Sequence, residues 1–321
     1  MANISDIAKQ AGVSKSTVSR VLNGHPHVSK EKRRTILEVM ERLHYSPNGN
    51  AINLSRGKTH TIGVLVPRVG HPFFHQLIDG IGQVCTEQNH TLLVIQTEND
   101  PVREEASIQQ LRDKRIDGLI IGAISQPQLL ETMRSFGPVV ACEDHQDIVP
   151  SIYFDHEKAM TMLLQHVEER GARTVGLCIG NSDSGVGRVR RETFDQYLKT
   201  STLSHKNEWY ADRCYSFEDG QELAGQLLTA DLPDAMIVGN DEVAAGLIHQ
   251  FRQHGIRIPE DIAITGFDDV PIARALEITT IRQPVVMLGR LAAEQLLNDE
   301  LKHSEGTFSL LEPSLIIRQT T

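Results

Sequence analysis

The stretch that decides how this chain is organised is VSKSTVSRVLNG, residues 13–24. Its apolar members, with Val18 and Val21 at the centre, are spaced to share one face of a helix. Most of the other members are basic or carry a hydroxyl group, and Ser14 is placed to cap a helix over Lys15–Leu22. The stretch therefore predicts a short helix with one apolar face and one basic, hydrogen-bonding face.

A second short helix precedes this one, and a glycine joins the two. Asn3 is placed to cap it, Ile4 and Ile7 begin its apolar spacing, and Gly12 supplies the turn before Val13. Two helices joined in this way form a helix-turn-helix, in which the start of the second helix enters the major groove of DNA.

A third helix is predicted from Lys30, with Ser29 as its cap and Pro47 beyond its end. Its apolar stripe is predicted to close a three-helix core and consists of Ile36, Leu37, Met40 and Leu43.

The side chains predicted to contact DNA lie on the polar face of the second helix and just after it. Arginine pairs with guanine through two hydrogen bonds, lysine and serine donate to base edges or phosphates, and the threonine methyl meets thymine. The alternative for each residue taken singly is a solvated polar face. The predicted contacts are Ser14, Lys15, Ser16, Thr17, Ser19, Arg20, Asn23 and His27.

The charge of the chain is unevenly distributed. The 321 residues carry a formal net charge of −10, but residues 1–58 hold ten Lys/Arg against four Asp/Glu, a net charge of +6. The remainder holds 22 Lys/Arg against 38 Asp/Glu, a net charge of −16. Because attraction to phosphate is screened beyond a Debye length of about 8–10 Å, the acidic body does not prevent the basic head from binding DNA.

Other features of the composition exclude several classes of protein. No apolar run approaches the ~20 residues that span a bilayer, and the N-terminal residues lack the basic and apolar segments of a signal peptide. Cys85, Cys142, Cys178 and Cys214 form no C-x-x-C pair and are interpreted as small, mostly buried hydrophobes. No membrane association is expected, and the reducing cytoplasm is the predicted compartment.

From Thr61 onward, short apolar runs alternate with amphipathic stretches. The predicted strands are 62–66, 92–96, 118–122, 139–142, 152–154, 175–179, 235–238 and 262–265. The predicted helices are at about 73–88, 102–114, 126–136, 156–170, 188–199, 217–228, 241–254 and 284–302. This alternation predicts parallel sheets with helices on both faces, and eight or more strands predict two sheets and two subdomains.

Three stretches resemble the lactose-repressor/galactose-repressor family of bacterial transcription regulators: ISDIAKQAGVSKSTVSRVLNG, VSKEKRRTILEVMERLHYSPNGNAINL and TIGVLVP. The resemblance covers essentially the whole chain. It implies an α/β fold, with an N-terminal three-helix helix-turn-helix domain and a two-subdomain core of parallel sheets like that of periplasmic binding proteins. The implied domains are residues 1–46 for the helix-turn-helix, 47–60 for a hinge linker and 61–321 for an effector-binding and dimerisation core.

Within the core, the resemblance places three chain crossings near residues 155, 283 and 312. The expected N-subdomain then comprises about 61–155 and 284–312, and the expected C-subdomain about 156–283 and 313–321.

The resemblance also assigns a role to the linker NGNAINLSRGK. In similar proteins this segment forms a short hinge helix on DNA, and a leucine from each of two subunits wedges into the central base step from the minor groove. Leu54 matches that leucine, Ala51 matches its small neighbour, and Asn48 is a further expected DNA contact. Gly49 and Asn50 depart from the usual pattern, and because glycine disfavours helix, we expect hinge folding here to depend more on DNA and on the partner subunit.

Ligands of open α/β sheets bind beyond the carboxyl ends of the strands, so two facing sheets predict a cleft between them. Carboxylates and amides pair with vicinal hydroxyls, arginine spans two oxygens, and aromatic rings stack on sugar or base faces. The predicted effector-binding residues are His71, Phe73, Phe74, Glu143, Arg190, Tyr215, Asn240 and Asp268. Glu143 stands where the family more often has aspartate.

By the resemblance, Arg190 corresponds to the effector-binding arginine of the family. Asn240 and Asp268 correspond to its amide and carboxylate, and Phe74 and Tyr215 to its stacking aromatics.

No enzyme signature is found. The sequence lacks the phosphate-binding loop, the dinucleotide-binding fingerprint, the nucleophile elbow and the H-E-x-x-H motif. Asp155, His156 and Glu157 have no further ligand cluster to complete a metal site, and His156 is interpreted as the start of a helix. We therefore predict no catalytic activity, no cofactor and no metal.

Together these features predict a transcriptional regulator, a repressor, that binds a pseudopalindromic operator as a homodimer. The chain ends in LIIRQTT without a leucine-heptad tail, which favours a dimer over a tail-tethered tetramer. A small-molecule effector, predicted to be a carbohydrate, would bias the pairing of the hinge helices. The alternatives are a phosphosugar, a nucleobase or a protein partner as effector, acting as inducer or corepressor, or a sugar-binding protein with no DNA role.

Overall fold

The computed structural model describes residues 2–22, 26–45, 57–298 and 308–321. The contacts divide the chain into two compact units. One comprises Met1–His60 with Lys114–Ile116, and the other comprises Thr61–Asp113 with Asp117–Thr321. Among the described helices, none is long and apolar enough to cross a membrane.

The first unit carries the three predicted helices, α1 (Ile4–Gln10), α2 (Lys15–Leu22) and α3 (Lys30–Arg42). A reciprocal capping box begins α1, because the side chain of Asn3 accepts from the backbone N–H of Asp6 at 3.2 Å and the side chain of Asp6 accepts from that of Asn3 at 3.0 Å. The predicted caps therefore form, and the expected three-helix arrangement is confirmed.

The core of this unit draws apolar side chains from all three helices. Ile7, Val18 and Ile36 are fully buried. The prediction that Leu37 joins this core is wrong, because its side chain is 51% exposed while Val39 is buried. Each step along a helix turns the side chain by about 100°, so Val39 and Met40, three and four residues after Ile36, share its face, whereas Leu37 points away from it.

The second unit contains twelve strands in the part of it that is described. They are β1 (Thr61–Val66), β2 (Thr91–Gln96), β3 (Gly118–Ile121), β4 (Val139–Ala141), β5 (Ser151–Phe154), β6 (Val175–Cys178), β7 (Tyr210–Ala211), β8 (Ala235–Val238), β9 (Ala263–Asp268), β10 (Thr279–Arg282), β11 (Phe308–Leu311) and β12 (Ser314–Ile316). Sheet one has the order β11-β5-β4-β3-β1-β2, and sheet two has the order β12-β10-β9-β8-β6-β7. All neighbours are parallel except β10 and β12.

Helices alternate with these strands along the chain. They are α4 (Pro72–Glu87), α5 (Pro101–Arg112), α6 (Leu129–Phe136), α7 (His156–Glu169), α8 (Gly185–Leu198), α9 (Phe217–Leu227), α10 (Asp241–Gln253), α11 (Pro271–Ala275) and α12 (Val285–Leu297). The apolar faces of α4 and α12 pack on sheet one. Residues of α9 and α10 pack on one face of sheet two, and residues of α7 and α8 pack on the other.

The chain passes between the two sheets three times, from β5 to α7, from β10 to α12 and from β11 to β12. Each sheet is therefore completed by a strand that comes from the last part of the chain. The predicted α/β architecture with two parallel-sheet subdomains is confirmed.

All eight predicted strands are present, but four strands and one short helix were missed. The missed elements are β7, β10, β11, β12 and α11. In β10, Thr279 and Thr280 are fully buried although threonine is polar, so the strand carries no continuous apolar signal. Their hydroxyls are satisfied inside the protein, for example by the bond that Thr280 donates to Asp241 Oδ1 at 2.7 Å.

Candidate functional site

The second unit encloses a cavity of about 510 Å³ between its two sheets. The residues that line it follow β1, β2, β3 and β4 on one side and β6, β7, β8 and β9 on the other. These strands run parallel within each sheet, so their carboxyl ends meet at the cavity. This is the place at which open α/β sheets bind ligands.

All eight residues predicted to bind an effector line this cavity, although they are far apart in the sequence. They are His71, Phe73, Phe74, Glu143, Arg190, Tyr215, Asn240 and Asp268. The first four belong to segments that follow strands of sheet one, and the last four lie at the end of strands of sheet two or in the segments that follow them. Their role in binding stays a prediction, but a ligand held by both groups would contact both sheets.

Arg190 lies in α8 and is almost fully buried. Its Nη1 donates to the carbonyl oxygen of Gly239 at 2.9 Å, and its guanidinium carbon lies 3.8 Å from the ring centre of Phe267. Burial lowers its pKa to about 10, and the charge of Asp268 opposes that shift. The buried Nε has no hydrogen-bond partner, which is costly for a donor on a charged group unless a polar ligand or a rearrangement satisfies it.

Asp268 ends β9 and is also almost fully buried. Its Oδ1 accepts a hydrogen bond from Nε2 of Gln283 at 2.7 Å. Burial raises its pKa to about 6, while Arg190 and the bond from Gln283 act in the opposite direction. The carboxylate and the guanidinium thus influence each other electrostatically, but their direct hydrogen bonds go to Gln283 and Gly239.

Aromatic rings form an apolar part of the wall. Phe73 and Phe74 meet edge to face, with ring centres 5.2 Å apart, and Phe73 meets Phe154 at 6.5 Å. Tyr215 lines the cavity from a segment after β7, and burial raises its pKa. Such rings offer flat apolar faces on which a sugar or a base can stack.

His71 supplies a neutral imidazole to the cavity. Its Nδ1 accepts a hydrogen bond from the backbone N–H of Phe73 at 3.3 Å and caps α4. Burial lowers its pKa to about 4, so the ring is uncharged at neutral pH. Because Nδ1 is the acceptor, the proton of the neutral ring lies on Nε2, which can donate.

Three of the helices that begin at the cavity are capped by side chains that line it. His71 caps α4, the hydroxyl of Ser184 caps α8 by accepting from Gly187 N at 3.0 Å, and Asn240 Oδ1 caps α10 by accepting from Val243 N at 2.8 Å. The positive ends of three helix dipoles are therefore directed to this place. The amide nitrogen of Asn240 stays available as a donor.

Glu143 supplies a carboxylate from the segment that follows β4. Its side chain is largely buried, and His145 Nε2 lies 3.6 Å from its Oε2. Glu143 and Asp268 thus place an acidic group on each side of the cavity.

The first unit presents a polar surface on α2. Ser14, Lys15, Ser16, Arg20 and His27 are exposed. Thr17 and Ser19 are partly buried. The predicted contacts Asn23, Asn48, Ala51 and Leu54 lie outside the described residues.

Ser14 also has a structural role at the start of α2. Its hydroxyl accepts from the backbone N–H of Thr17 at 3.2 Å and hydrogen-bonds the hydroxyls of Ser16 and Thr17, each at 2.8 Å. The predicted cap is therefore formed, and it fixes the first turn of the helix that carries Lys15.

Comparison with known proteins covers both units. The sequence profile described as bacterial regulatory proteins, lacI family, matches residues 3–48. The profile described as periplasmic binding proteins and sugar binding domain of LacI family matches residues 59–313. The chain belongs to the LacI family. Members of this family are transcriptional regulators in which a helix-turn-helix DNA-binding domain is joined to an effector-binding core.

Relatives of this LacI-family regulator align over most or all of its length. The NTD biosynthesis operon regulator NtdR of Bacillus subtilis is 37% identical over 333 residues, which span 100% of both chains. The lac repressor dimer, solved bound to operator and the anti-inducer ONPF, has a TM-score of 0.85 at 26% identity and covers 100% of this chain and 99% of its own. A LacI-family regulator from Lactobacillus casei with bound glucose has a TM-score of 0.75 at 29% identity, and the match covers 81% of this chain and 99% of its own.

The LacI-family core also brings residues to the cavity that the sequence analysis did not select. His156 and Gln283 line it from two of the three crossings, and Glu98 and Asn99 line it after β2. His156 is neutral, because burial and Arg190 lower its pKa well below the usual value, and its buried Nδ1 has no partner.

A sequence signal existed for most of these residues. Glu98 and Asn99 lie two and three residues beyond a predicted strand, and His156 lies two residues beyond another, so the strand-end rule that selected seven of the eight predicted residues selects them as well. Gln283 follows β10, which was not predicted, so no signal pointed to it.

A metal centre finds no support in the described part of the chain. Within residues 2–22, 26–45, 57–298 and 308–321, no group of three or more His, Cys, Asp or Glu side chains is arranged to hold a metal ion.

Proposed function

We propose that this LacI-family chain is a transcriptional repressor that acts in the cytoplasm as a homodimer and is controlled by a carbohydrate bound between its two sheets. The observation that carries the proposal is the cavity itself. Arg190 and Asp268 are buried in its lining with strongly shifted pKa values, and aromatic rings, an amide and helix N-termini line it as well. Perturbed ionisable groups in a concave site are typical of ligand binding.

For the DNA-binding half, the proposal assigns residues 1–46 to operator recognition and 47–60 to the hinge. The exposed Lys15 and Arg20 on α2 are the side chains assigned to base edges or phosphates. Leu54, with Ala51 beside it, is assigned to the minor groove. The lac repressor, of similar fold, is a dimer bound to operator in its solved structure.

A homodimer is also favoured by the edge of sheet one. The strand β2 is the last strand on that side of the sheet, and Leu93 and Val94 are 38% and 37% exposed. An apolar edge strand is an unfavourable surface to leave in water. We assign it to the contact between the two cores.

The effector is assigned to the carbohydrates because the cavity combines stacking surfaces with bidentate polar groups. Arg190, Asp268, Asn240 and Glu143 can pair with hydroxyl groups, while Phe73 and Phe74 offer stacking faces. The glucose bound to the related Lactobacillus casei regulator is consistent with this class. A phosphosugar is the second candidate, since Arg68, Arg190 and Arg213 line the cavity and three helices begin there.

Thermal unfolding of the full chain with a panel of sugars, sugar phosphates and nucleobases tests the effector class. An effector raises stability by RT ln(1 + [L]/Kd), so a ligand at 100 Kd gives about 2.7 kcal/mol. Stabilisation by a neutral sugar that is lost in Arg190→Ala supports the proposal. Stabilisation by a nucleobase alone contradicts the carbohydrate assignment.

DNA binding is tested by selecting duplexes from a random library and measuring the complex by gel shift. The proposal expects a pseudopalindromic site bound by two chains, a loss of binding in Arg20→Ala and Leu54→Ala, and a change of affinity on addition of the effector. A sugar-binding protein with no DNA role would select no site, and turnover of a sugar would contradict the non-enzymatic assignment.

A further inference from the structure

Two cysteines that are distant in the sequence lie side by side in sheet two. Cys178 is the last residue of β6, and Cys214 follows β7, which pairs with β6 in parallel. Backbone hydrogen bonds hold the two segments together, because Ile179 N donates to Ala211 O at 3.0 Å and Cys214 N donates to Ile179 O at 3.2 Å. From the sequence, both cysteines are interpreted only as small, mostly buried hydrophobes.

The two thiols share one environment. Both side chains pack in the apolar cluster that contains Trp209, where each thiol influences the pKa of the other, and the thiol of Cys214 donates to the carbonyl oxygen of Asp212 at 3.4 Å. Cys178 is buried at 1% exposure, whereas Cys214 is partly exposed. The remaining cysteines, Cys85 and Cys142, lie in the core of sheet one.

The two cysteines differ in exposure and in pKa. The adjacent thiol of Cys178 lowers the pKa of Cys214, although burial and the nearby Asp212 and Asp219 act in the opposite direction. The adjacent thiol of Cys214, together with burial, raises the pKa of Cys178. The thiolate is the nucleophilic form of cysteine, so the more accessible Cys214 is the sulfur that reacts first with an oxidant.

We propose that Cys178 and Cys214 form a redox-sensitive site that a hydroperoxide converts to a disulfide. With hydrogen peroxide, the sulfur of Cys214 attacks one oxygen, the O–O bond breaks, and a sulfenic acid and one water are formed. The sulfur of Cys178 then attacks the sulfenic sulfur, the S–O bond breaks, and a second water leaves. Two thiols lose two electrons and two protons, which the peroxide accepts.

The disulfide would fix the segment that carries Cys214 to the end of β6. Arg213 and Tyr215, the neighbours of Cys214, line the cavity. Oxidation therefore changes one wall of the cavity and its affinity for a ligand. This last consequence rests on the proposed function, whereas formation of the disulfide does not.

The test treats the full wild-type chain with hydrogen peroxide in slight excess, alkylates the remaining thiols under denaturing conditions and maps the peptides without reduction. The expected result is a peptide pair joined through Cys178 and Cys214 in most molecules, with Cys85 and Cys142 alkylated, and full reversal by dithiothreitol. Four alkylated thiols, sulfinic acid on Cys214 beside a free Cys178, or disulfides between chains would each overturn the proposal.

Two variants and one spectroscopic signal sharpen the test. Trp209 is the single tryptophan of the sequence, so quenching of its fluorescence by the adjacent disulfide reports the reaction directly. Cys85→Ser, the control in the other sheet, should keep both the cross-link and the quenching. Cys178→Ser should lose both and accumulate over-oxidised Cys214, and if this variant does not fold, Cys214→Ser replaces it.

The outcomes are separable from those of the proposed function. Formation of the cross-link requires neither DNA nor effector. Its absence would leave the repressor proposal intact, and a chain that binds no sugar could still form it.

Discussion

At the scale of single residues, Asp268 combines two features that oppose folding. Its backbone φ is 102°, a region that residues other than glycine rarely adopt. Its buried carboxyl group has a pKa of about 6, well above the ordinary value, because burial disfavours the charge. Strain and a buried charge at the same position are typical of a site selected for binding rather than for stability.

The pH dependence of unfolding should reveal this cost. As pH rises, the unfolded chain releases the proton of Asp268 near pH 4, but the folded chain releases it only near pH 6. The free energy of unfolding should therefore fall between these values, by up to about 3 kcal/mol from this group. Asp268→Asn should remove that fall and be about 1–3 kcal/mol more stable than the wild type at pH 7, as measured by urea unfolding from pH 4.5 to 7.5.

The exposed Asp147 provides the matched control. Asp147→Asn should leave the pH profile of stability unchanged. A profile of Asp268→Asn that is parallel to that of the wild type would show that the carboxyl group of Asp268 does not titrate in this window.

At the scale of elements, a buried glutamate positions one wall of the cavity. Glu104 on α5 is fully buried, and its carboxylate accepts from the N–H of Ser125 at 2.9 Å, the hydroxyl of Ser125 at 2.9 Å and the N–H of Gln126 at 3.1 Å. The loop it holds follows β3, and residues 122–125 of that loop line the cavity. A side chain of α5 therefore positions one loop of the cavity wall.

Replacing this carboxylate should loosen the loop. In Glu104→Gln, an NH₂ group would face donors, so at least one of three hydrogen bonds is lost at a cost of about 1–3 kcal/mol. Hydrogen exchange at the amides of Ser125 and Gln126 should become at least tenfold faster, as measured by mass spectrometry. The neighbouring exposed Glu105 gives the control, Glu105→Gln. Equal exchange rates of the Ser125 and Gln126 amides in the two variants would contradict the role of Glu104 in holding this loop.

The packing of α4 on α12 gives a second test at this scale. A Cβ atom on Gly80 would lie 2.1 Å from the backbone oxygen of Val286, whereas one on Gly82 would meet only Leu92 at an ordinary 3.9 Å. Gly80→Ala should therefore lower the free energy of unfolding by about 1–3 kcal/mol or more. Gly82→Ala in the same helix should raise it by up to about 1 kcal/mol, and equal effects in chemical denaturation would contradict this packing.

The sequence was informative where apolar periodicity is strong. The head helices and the eight apolar strands follow from spacing alone, and the strand ends located seven of the eight predicted cavity residues, whereas Tyr215 came from the family resemblance. The sequence was uninformative where tertiary contacts determine the structure. The strand β10 contains buried threonines, and β7 has only two residues. Leu37 differs from its buried neighbours only in the direction of its side chain. Gln283 and the contact between Cys178 and Cys214 depend on which segments the sheet brings together, and no local pattern encodes that.

At the scale of the whole molecule, the charge is divided between a basic head and an acidic body, with net charges of +6 over residues 1–58 and −16 over the rest. If the head contacts DNA as proposed, binding should weaken steeply with salt. Six to ten phosphate contacts by a dimer correspond to a loss of about 10³–10⁵ in affinity between 50 and 200 mM salt. Fluorescence anisotropy with a selected operator measures this slope.

The contributions of the two parts can be separated by substitution. Lys30 lies at the exposed start of α3. If both copies of Lys30 in a homodimer contact phosphate, Lys30→Ala should reduce the slope of log affinity against log salt concentration by about two. Asp79→Asn in the body should not change it. A salt slope that changes in Asp79→Asn and not in Lys30→Ala would contradict the assignment of DNA binding to the head.

The three crossings between the sheets also bear on how the protein is made. Sheet one needs β11 and sheet two needs β12, so sheet one cannot be completed until residue 311 has left the ribosome, and sheet two cannot be completed until residue 316 has. At about 5–20 residues per second, the locally connected head emerges many seconds earlier and can fold first. We expect stalled chains that expose residues up to 300 to carry a protease-resistant head and a protease-sensitive core, which would leave the core dependent on chaperones during synthesis.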